Sequence, residues 1–381
     1  MNRPLEAYGV AVAFILLYSL LSGSRPSTGA LTLFVAVALA ASIAVAWLRQ
    51  WALRRRLLDV PTHRSSHETP TPRTAGAAVA LLVLFVILAV PWFAGTGPDQ
   101  SRTAAALGLL GLCIAALGFA DDVRSLSVRI RLAVQLGCAV AFALGVERLQ
   151  SLTLSETLQM DLGWLAIPLT VAWLVGLTNA YNFMDGIDGI AGLQAVIAGL
   201  GWAVIGGLRG DALLTLAGIG IAASATGFLV HNWPPARIFL GDAGSGFLGF
   251  VFAALTVIGA RADATTLFVG ALLVWPFLFD SILTFFRRLL AGEPVFAPHR
   301  AHLYQRMVAA GRSHRRVTNL FGTAALLTTL AALAVELRWA GALFWALGTA
   351  GVSAAVLYGI AFRDERERRR SRLEPPDCAT D

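Results

Sequence analysis

The chain alternates long apolar stretches with short polar breaks from end to end. Apolar runs fall at 8–22, 30–48, 75–93, 103–120, 130–146, 162–179, 187–208, 211–230, 246–260, 265–286, 318–337 and 340–362. They are continuous and lack the period-two alternation of an outer-membrane barrel. A helix needs roughly 20 apolar residues to cross the hydrocarbon of a bilayer, so each run predicts one membrane helix. The fold class is therefore all-α, a polytopic membrane protein with about 11–12 transmembrane helices of that length. No convincing small-residue cleavage site follows the run at 8–22, so it is read as a retained helix and not as a removed signal peptide.

Composition agrees and narrows the classes. The 381 residues are 57% hydrophobic and 14% charged, against about 25% charged in an ordinary globular domain. No segment between the runs is long enough for a separate domain, which excludes a soluble enzyme on a membrane anchor. Residues 1–381 read as one integral membrane domain, with 363–381 a charged, solvated cytoplasmic tail suited to anionic headgroups. Cys113, Cys138 and Cys378 have neither disulfide nor metal-site spacing.

Charge assigns the sides. Every one of the 30 basic residues is Arg. Alternating helices put 1–7, 49–74, 121–129, 180–187, 231–245, 287–317 and 363–381 on one side. With Arg131, just inside its helix, that set holds 24 of the 30 Arg; Arg25, Arg102, Arg148, Arg209, Arg261 and Arg338 are left to the other side. The positive-inside rule makes the Arg-rich side cytoplasmic.

The notable acids gather on that same side. Asp121 and Asp122 end the fourth run. Asn182, Asp185 and Asp188 lie in NAYNFMDGIDG, Asp242 in RIFLGDAGSG, and His299, Arg300 and His302 in VFAPHRAHLYQRM. Each has a plainer reading. An Asp-Asp pair at a helix end is ordinarily a cap, a glycine-rich turn needs no ligand, and a basic segment at an interface snorkels. Their convergence on one face favours chemistry. Clustered carboxylates repel unless a divalent cation separates them, and Mg²⁺ takes one or two carboxylates together with water and substrate phosphate. Nearby Arg and glycine-rich turns suit phosphate oxygens. Asp280, inside the apolar run VWPFLFDSILTFF, is costly in a membrane and should be protonated or partnered. At about 10 Å below the helix end it is too deep to touch a nucleotide from the loops, but it can border a lipid-phosphate groove or pair with an Arg such as Arg287.

Together these motifs resemble the polyprenyl-phosphate N-acetylhexosamine-1-phosphate transferase family, which includes phospho-MurNAc-pentapeptide translocase. The resemblance covers about 59–316, from DVPTHRSSHETPTPRTAG onward. PFLFDSILTFFRRLLAGEPVFAPHRAHLYQRM is most similar to the branch that initiates O-antigen and enterobacterial antigen in lipopolysaccharide and surface-glycan synthesis. The resemblance implies catalytic roles for Asp121, Asp122, Asp185 and His302, with Asp121 deprotonating the lipid phosphate. It implies that Asp242 ligates Mg²⁺, with Mn²⁺ a substitute, and that Asn182, Asp188, Phe239, Arg300 and His299 bind substrate. Asp188 would contact uracil and Phe239 would stack on it. Two departures stand out: His302-Leu303-Tyr304-Gln305 lacks the family's later histidines, and Thr74-Ala75-Gly76 replaces a glycine pair.

The implied reaction is attack of undecaprenyl phosphate on the β-phosphorus of a UDP-N-acetylhexosamine, releasing UMP, by direct displacement or through an aspartyl intermediate. GlcNAc, FucNAc and QuiNAc are the candidate sugars. The resemblance further implies a bacterial inner membrane location, an active site facing the cytoplasm, contact with membrane lipids, no nucleic acid, and compatibility with a homodimer. Rival classes fit less well. A secondary transporter places its site near the midplane and often shows internal repeats, and none is visible. DGIDGIAG begins like a CDP-alcohol phosphatidyltransferase motif, but 192–208 supplies no further Asp or Arg. A non-catalytic lipid-binding scaffold would show no turnover with any UDP-sugar.

Overall fold

The computed structural model describes residues 28–59, 69–155, 158–294 and 299–373. The apolar run at 8–22 lies outside the described residues. Helices α1 (Thr28–Arg55), α2 (Ala75–Ala94), α3 (Pro98–Arg124), α4 (Val128–Gly145) and α5 (Ala166–Met184) are followed by α6 (Ile190–Arg209), α7 (Ala212–Asn232), α8 (Asp242–Ala260), α9 (Thr266–Leu273) and α10 (Trp275–Leu290). A short α11 (Leu303–Ala309) leads into α12 (His314–Glu336) and α13 (Ala342–Leu373). Two small antiparallel pairs complete the fold: β1 (Leu58–Asp59) with β2 (Thr71–Pro72), and β3 (Ser151–Ser155) with β4 (Leu158–Asp161).

Among the described residues, 10 helices are long and apolar enough to cross a membrane. Helix starts follow their sequence. The Ser127 hydroxyl accepts from the Ile130 N–H at 3.3 Å, and the Asp211 carboxylate accepts from the Leu214 N–H at 3.0 Å, meeting donors that a first turn leaves unpaired. Helices α6, α7 and α8 are buried along most of their length, while α1, α4 and α13 face outward. Lipid supplies no hydrophobic force between helices, so α6 and α7 depend on close contact of small residues. A Cβ on Gly218 would stand 2.4 Å from the Ala203 nitrogen.

The run expected as a single span at 265–286 is different. It is broken at Val274 into α9 and α10, whose axes differ by 86°. Pro276 sits in the first turn of α10, where a missing N–H is tolerated. The carbonyl of Leu273, left over at the break, accepts from the Gln194 side-chain amide at 2.8 Å. A buried partner thus meets what a continuous helix would have satisfied itself.

Among the described residues, contacts within each of the two sets separated by Arg content gather at different ends of the helices. At one end Arg73 meets Asp122 at 3.1 Å, Asn182 meets Asp242 at 3.0 Å and Arg312 meets Asp364 at 2.9 Å. At the other, Gln100 meets Asp211 at 3.0 Å, Arg209 meets Glu336 at 2.6 Å, and Arg261 meets Glu147 at 3.6 Å.

Candidate active site

The site is assembled at the Arg-rich end from chain segments far apart in sequence. The segment after β2 is zipped to the approach of α8. The Phe239 N–H donates to the Pro72 carbonyl at 2.8 Å, and the Gly76 N–H donates to the Leu240 carbonyl at 2.7 Å. Arg73 and Phe239 form a parallel bridge, so the backbone of the half-buried Phe239 is held beside that of Arg73. Ala75, standing where a glycine was expected, is buried and keeps its bond to the Phe239 carbonyl at 3.2 Å.

Helix α3 reaches the same point because Gly118 has no side chain. A Cβ there would lie 2.3 Å from the Asp242 carbonyl oxygen. One turn later the two acids divide. Asp122 is fully buried, and its carboxylate accepts from the backbone N–H groups of Asp242 at 2.9 Å and Ala243 at 3.1 Å. It therefore caps the start of α8, where unpaired N–H groups and the helix dipole favour negative charge. Gly241, at φ 77, makes the turn into α8, and a Cβ there would meet the Asp122 carboxylate at 2.6 Å. Asp121 points elsewhere, accepting from the Leu126 N–H at 2.5 Å and pairing with Arg131 at 2.8 Å.

Asp242 is the hub. It pairs with Arg73, accepts from the Asn182 amide at 3.0 Å, and lies 3.5 Å from Arg131. Asn182 also donates to the Ser245 hydroxyl at 2.8 Å, which fixes the orientation of its amide. Asp185 ends α5 beside these groups and accepts a bond from the Gly241 backbone. Burial pushes its carboxyl up to about 7; Arg73 acts against this, and the charges of Asp242 and Asp122 add to it. Burial alone would lower the Arg73 guanidinium, but Asp242 and Asp122 more than offset it and hold it above its ordinary value. Four carboxyl groups thus face two guanidinium groups.

The remaining expected residues lie in two neighbouring clusters. Asp188 faces His314 at 3.3 Å and accepts from the Ala236 N–H at 3.0 Å, with its carbonyl bonded by Thr318. His302 is buried and lies 3.3 Å from Asp280, outside the carboxylate hub. His299 is half-buried, and burial together with neighbouring His302 pushes its imidazole down to about 4. Arg300 is exposed.

Asp280 differs from expectation. Its partner is not Arg287, which donates to the Ala301 carbonyl. Instead Asp280 accepts from the Leu303 N–H at 2.8 Å, the Tyr304 N–H at 3.3 Å and the Thr284 hydroxyl at 3.1 Å. Helix α10, turned by 86° from α9 at the break, presents Asp280 to the segment that begins α11.

Sequence reading missed Arg73, Arg131, Ser245 and His314. The first two belong to an Arg-rich side that offers many equivalent candidates, although Arg131 already stood out as the one counted inside its helix.

The hub has the donor chemistry of a hard divalent cation. The Oδ2 atoms of Asp121 and Asp242 converge on one nitrogen of Arg131, which occupies the place of a shared cation. Among the described residues no three His, Cys, Asp or Glu side chains are gathered closely enough to hold an ion alone.

A bundle of apolar helices carrying a carboxylate–guanidinium hub at one end defines a multi-pass membrane protein with a terminal polar site. Residues 104–260 match the family described as "Glycosyl transferase family 4". The chain is 34% identical over 274 residues to the Bacillus subtilis "Probable undecaprenyl-phosphate N-acetylglucosaminyl 1-phosphate transferase", covering 70% of this chain and 74% of the relative. It is 33% identical over 302 residues to the Mycobacterium leprae "Decaprenyl-phosphate N-acetylglucosaminephosphotransferase", covering 71% and 74%. A Synechococcus "Phospho-N-acetylmuramoyl-pentapeptide-transferase" is 32% identical over 250 residues, covering 62% and 70%. The chain belongs to glycosyl transferase family 4.

Proposed function

We propose that this protein transfers an N-acetylhexosamine 1-phosphate from a UDP-sugar to undecaprenyl phosphate, releasing UMP, at the cytoplasmic face of a bacterial inner membrane. The observation that carries this reading is the meeting of Asp121, Asp242, Arg73 and Arg131 at one end of a lipid-embedded bundle. A water-soluble anionic donor and a lipid-borne phosphate can both reach such a place. The names of the relatives favour GlcNAc as the sugar, ahead of FucNAc or QuiNAc; the O-antigen kind of pathway rests on the sequence resemblance alone.

In this reaction an oxygen of the lipid phosphate forms a bond to the β-phosphorus, and the β-phosphorus–oxygen bond to UMP breaks. Phosphoryl transfer asks a protein mainly for positioning and charge stabilisation. Arg73 and Arg131 supply cationic donors to phosphate oxygens, with Arg73 fixed by Asp122 and Asp242. Asp121 is placed to take any proton remaining on the acceptor, and a phosphate monoester with a second pKa near about 6 is already largely ionised. Mg²⁺ or Mn²⁺ held by Asp121 and Asp242 would neutralise pyrophosphate charge and stabilise the departing UMP. Asp188 and Phe239, held by α12 and by the Arg73 segment respectively, are assigned to the uracil.

The test is a panel of UDP-sugars with undecaprenyl phosphate and Mg²⁺ on purified protein in detergent. UMP release with UDP-GlcNAc or a 6-deoxy relative is expected. Preference for the MurNAc-pentapeptide donor would overturn the sugar assignment, and no release with any donor would overturn the activity.

A further inference from the structure

Helix α13 holds 32 residues, about 48 Å at 1.5 Å per residue, well beyond the roughly 30 Å of hydrocarbon. Its last turns therefore leave the apolar layer, and the sequence there was expected to be solvated. The structure shows two faces instead. Arg363, Arg366 and Arg368 are exposed, whereas Asp364 is only 8% exposed and turned inward. Asp364 and Arg312 form a two-pronged ion pair, and so do Glu365 and Arg306. Such paired forks fix geometry as well as charge. Arg306 lies on α11 and Arg312 just beyond it, so both pairs grip one short segment.

That segment touches the hub region on its other side. The Tyr304 hydroxyl donates to the Phe183 carbonyl at 2.9 Å, two residues before Asp185. Burial, then the charge of Asp280, pushes the Tyr304 phenol far above its ordinary value, so it remains a donor. Its oxygen also closes over Gly186, where a Cβ would lie 2.1 Å away. Beneath α11, Asp280 holds the first N–H groups of the helix. A continuous chain of contacts therefore runs from α13 to the turn that carries Asp185.

We infer that Asp364 and Glu365 are positioning residues for the donor site: α13 holds α11 through Arg312 and Arg306, and α11 holds the Asp185 turn through Tyr304. The kinetic consequence rests on the proposed transferase reading; the mechanical link does not.

The test combines hydrogen exchange with kinetics on the full chain in detergent, comparing Arg312→Asp, Asp364→Arg and the double exchange of the two. Each single reversal is expected to speed amide exchange by about tenfold in both 299–313 and 183–189, and to raise the KM for UDP-GlcNAc more than it lowers kcat. The double exchange should restore both, which a general loss of packing would not. The inference is overturned if 183–189 is unchanged while 299–313 loosens, or if the double exchange fails to recover. If the reversals loosen the whole protein, Glu365→Gln and Asp364→Asn, which remove charge without reversing it, decide the matter on the same peptides. A parent protein without turnover would count against the proposed reaction, and the exchange data would still decide the link.

Discussion

The carboxylate of Asp122 accepts the backbone N–H of Asp242 at 2.9 Å, so the acid that ends α3 fixes the place where α8 begins. Asp121 and Asp122 are neighbours in sequence, but a helix turns about 100° per residue. One therefore faces Arg131 while the other is buried against α8. This division of labour predicts different phenotypes. Asp122→Asn should lose activity together with about 1.5–3 kcal/mol of stability, the range for hydrogen bonds to a charged group. Asp121→Asn, which weakens one backbone N–H bond and the pair with Arg131, should lose less stability than Asp122→Asn while turnover falls by about 10²–10⁴ through loss of its base role. Thermal unfolding and turnover measured side by side separate the two, and equal stability loss in both variants would contradict the division.

Asp280→Asn should act mainly through the fold. It weakens the carboxylate that receives the Leu303 and Tyr304 N–H groups and faces His302. About 1–3 kcal/mol of stability should be lost, with a smaller loss of turnover than in Asp242→Asn. A double-mutant cycle with His302→Asn should give a coupling of about 0.5–3 kcal/mol, as for residues in one network. Intact stability with all turnover gone would instead put Asp280 in the catalytic set.

Asp185 makes the site sensitive to pH in a defined direction. The fold raises its carboxyl from 3.8 to about 7, so the folded chain keeps a proton that the unfolded chain has already released. Its contribution to stability therefore falls as pH rises from about 4 to about 7. Asp185→Asn cannot ionise and should be more stable than the parent at pH 8, with the difference shrinking toward pH 5. Melting curves across that range check this, and parallel curves would contradict it.

Cysteines introduced in 49–57 and 303–313 should resist a membrane-impermeant thiol reagent applied outside intact cells, because both lie on the Arg-rich side. A cysteine near Trp339, at the opposite end, should label. Efficient labelling of either Arg-rich segment would reverse the orientation.

Most of the fold was legible because continuous apolar runs report helix existence directly. The break at Val274 was not, because hydropathy carries no information about axis direction; Pro276 was the available hint. Partners of buried groups were also illegible. Asp280 finds backbone N–H groups from a segment more than twenty residues away, and no spacing rule anticipates that. Asp121, Asp122, Asn182, Asp185 and Asp242 do come together. His302 sits apart because its imidazole is drawn to Asp280, and the inward face of the charged tail shows only once α11 is placed against it.

Transfer of a sugar together with its phosphate is read from the fate of the β-phosphorus. UDP-GlcNAc labelled with ³²P at the β-position should be incubated with undecaprenyl phosphate, Mg²⁺ and purified protein, then extracted into organic solvent. The label is expected to enter the lipid fraction in proportion to the UMP released, and Asp242→Asn is expected to abolish both. Label remaining in the aqueous nucleotide as UDP, with sugar alone passing to the lipid, would contradict it.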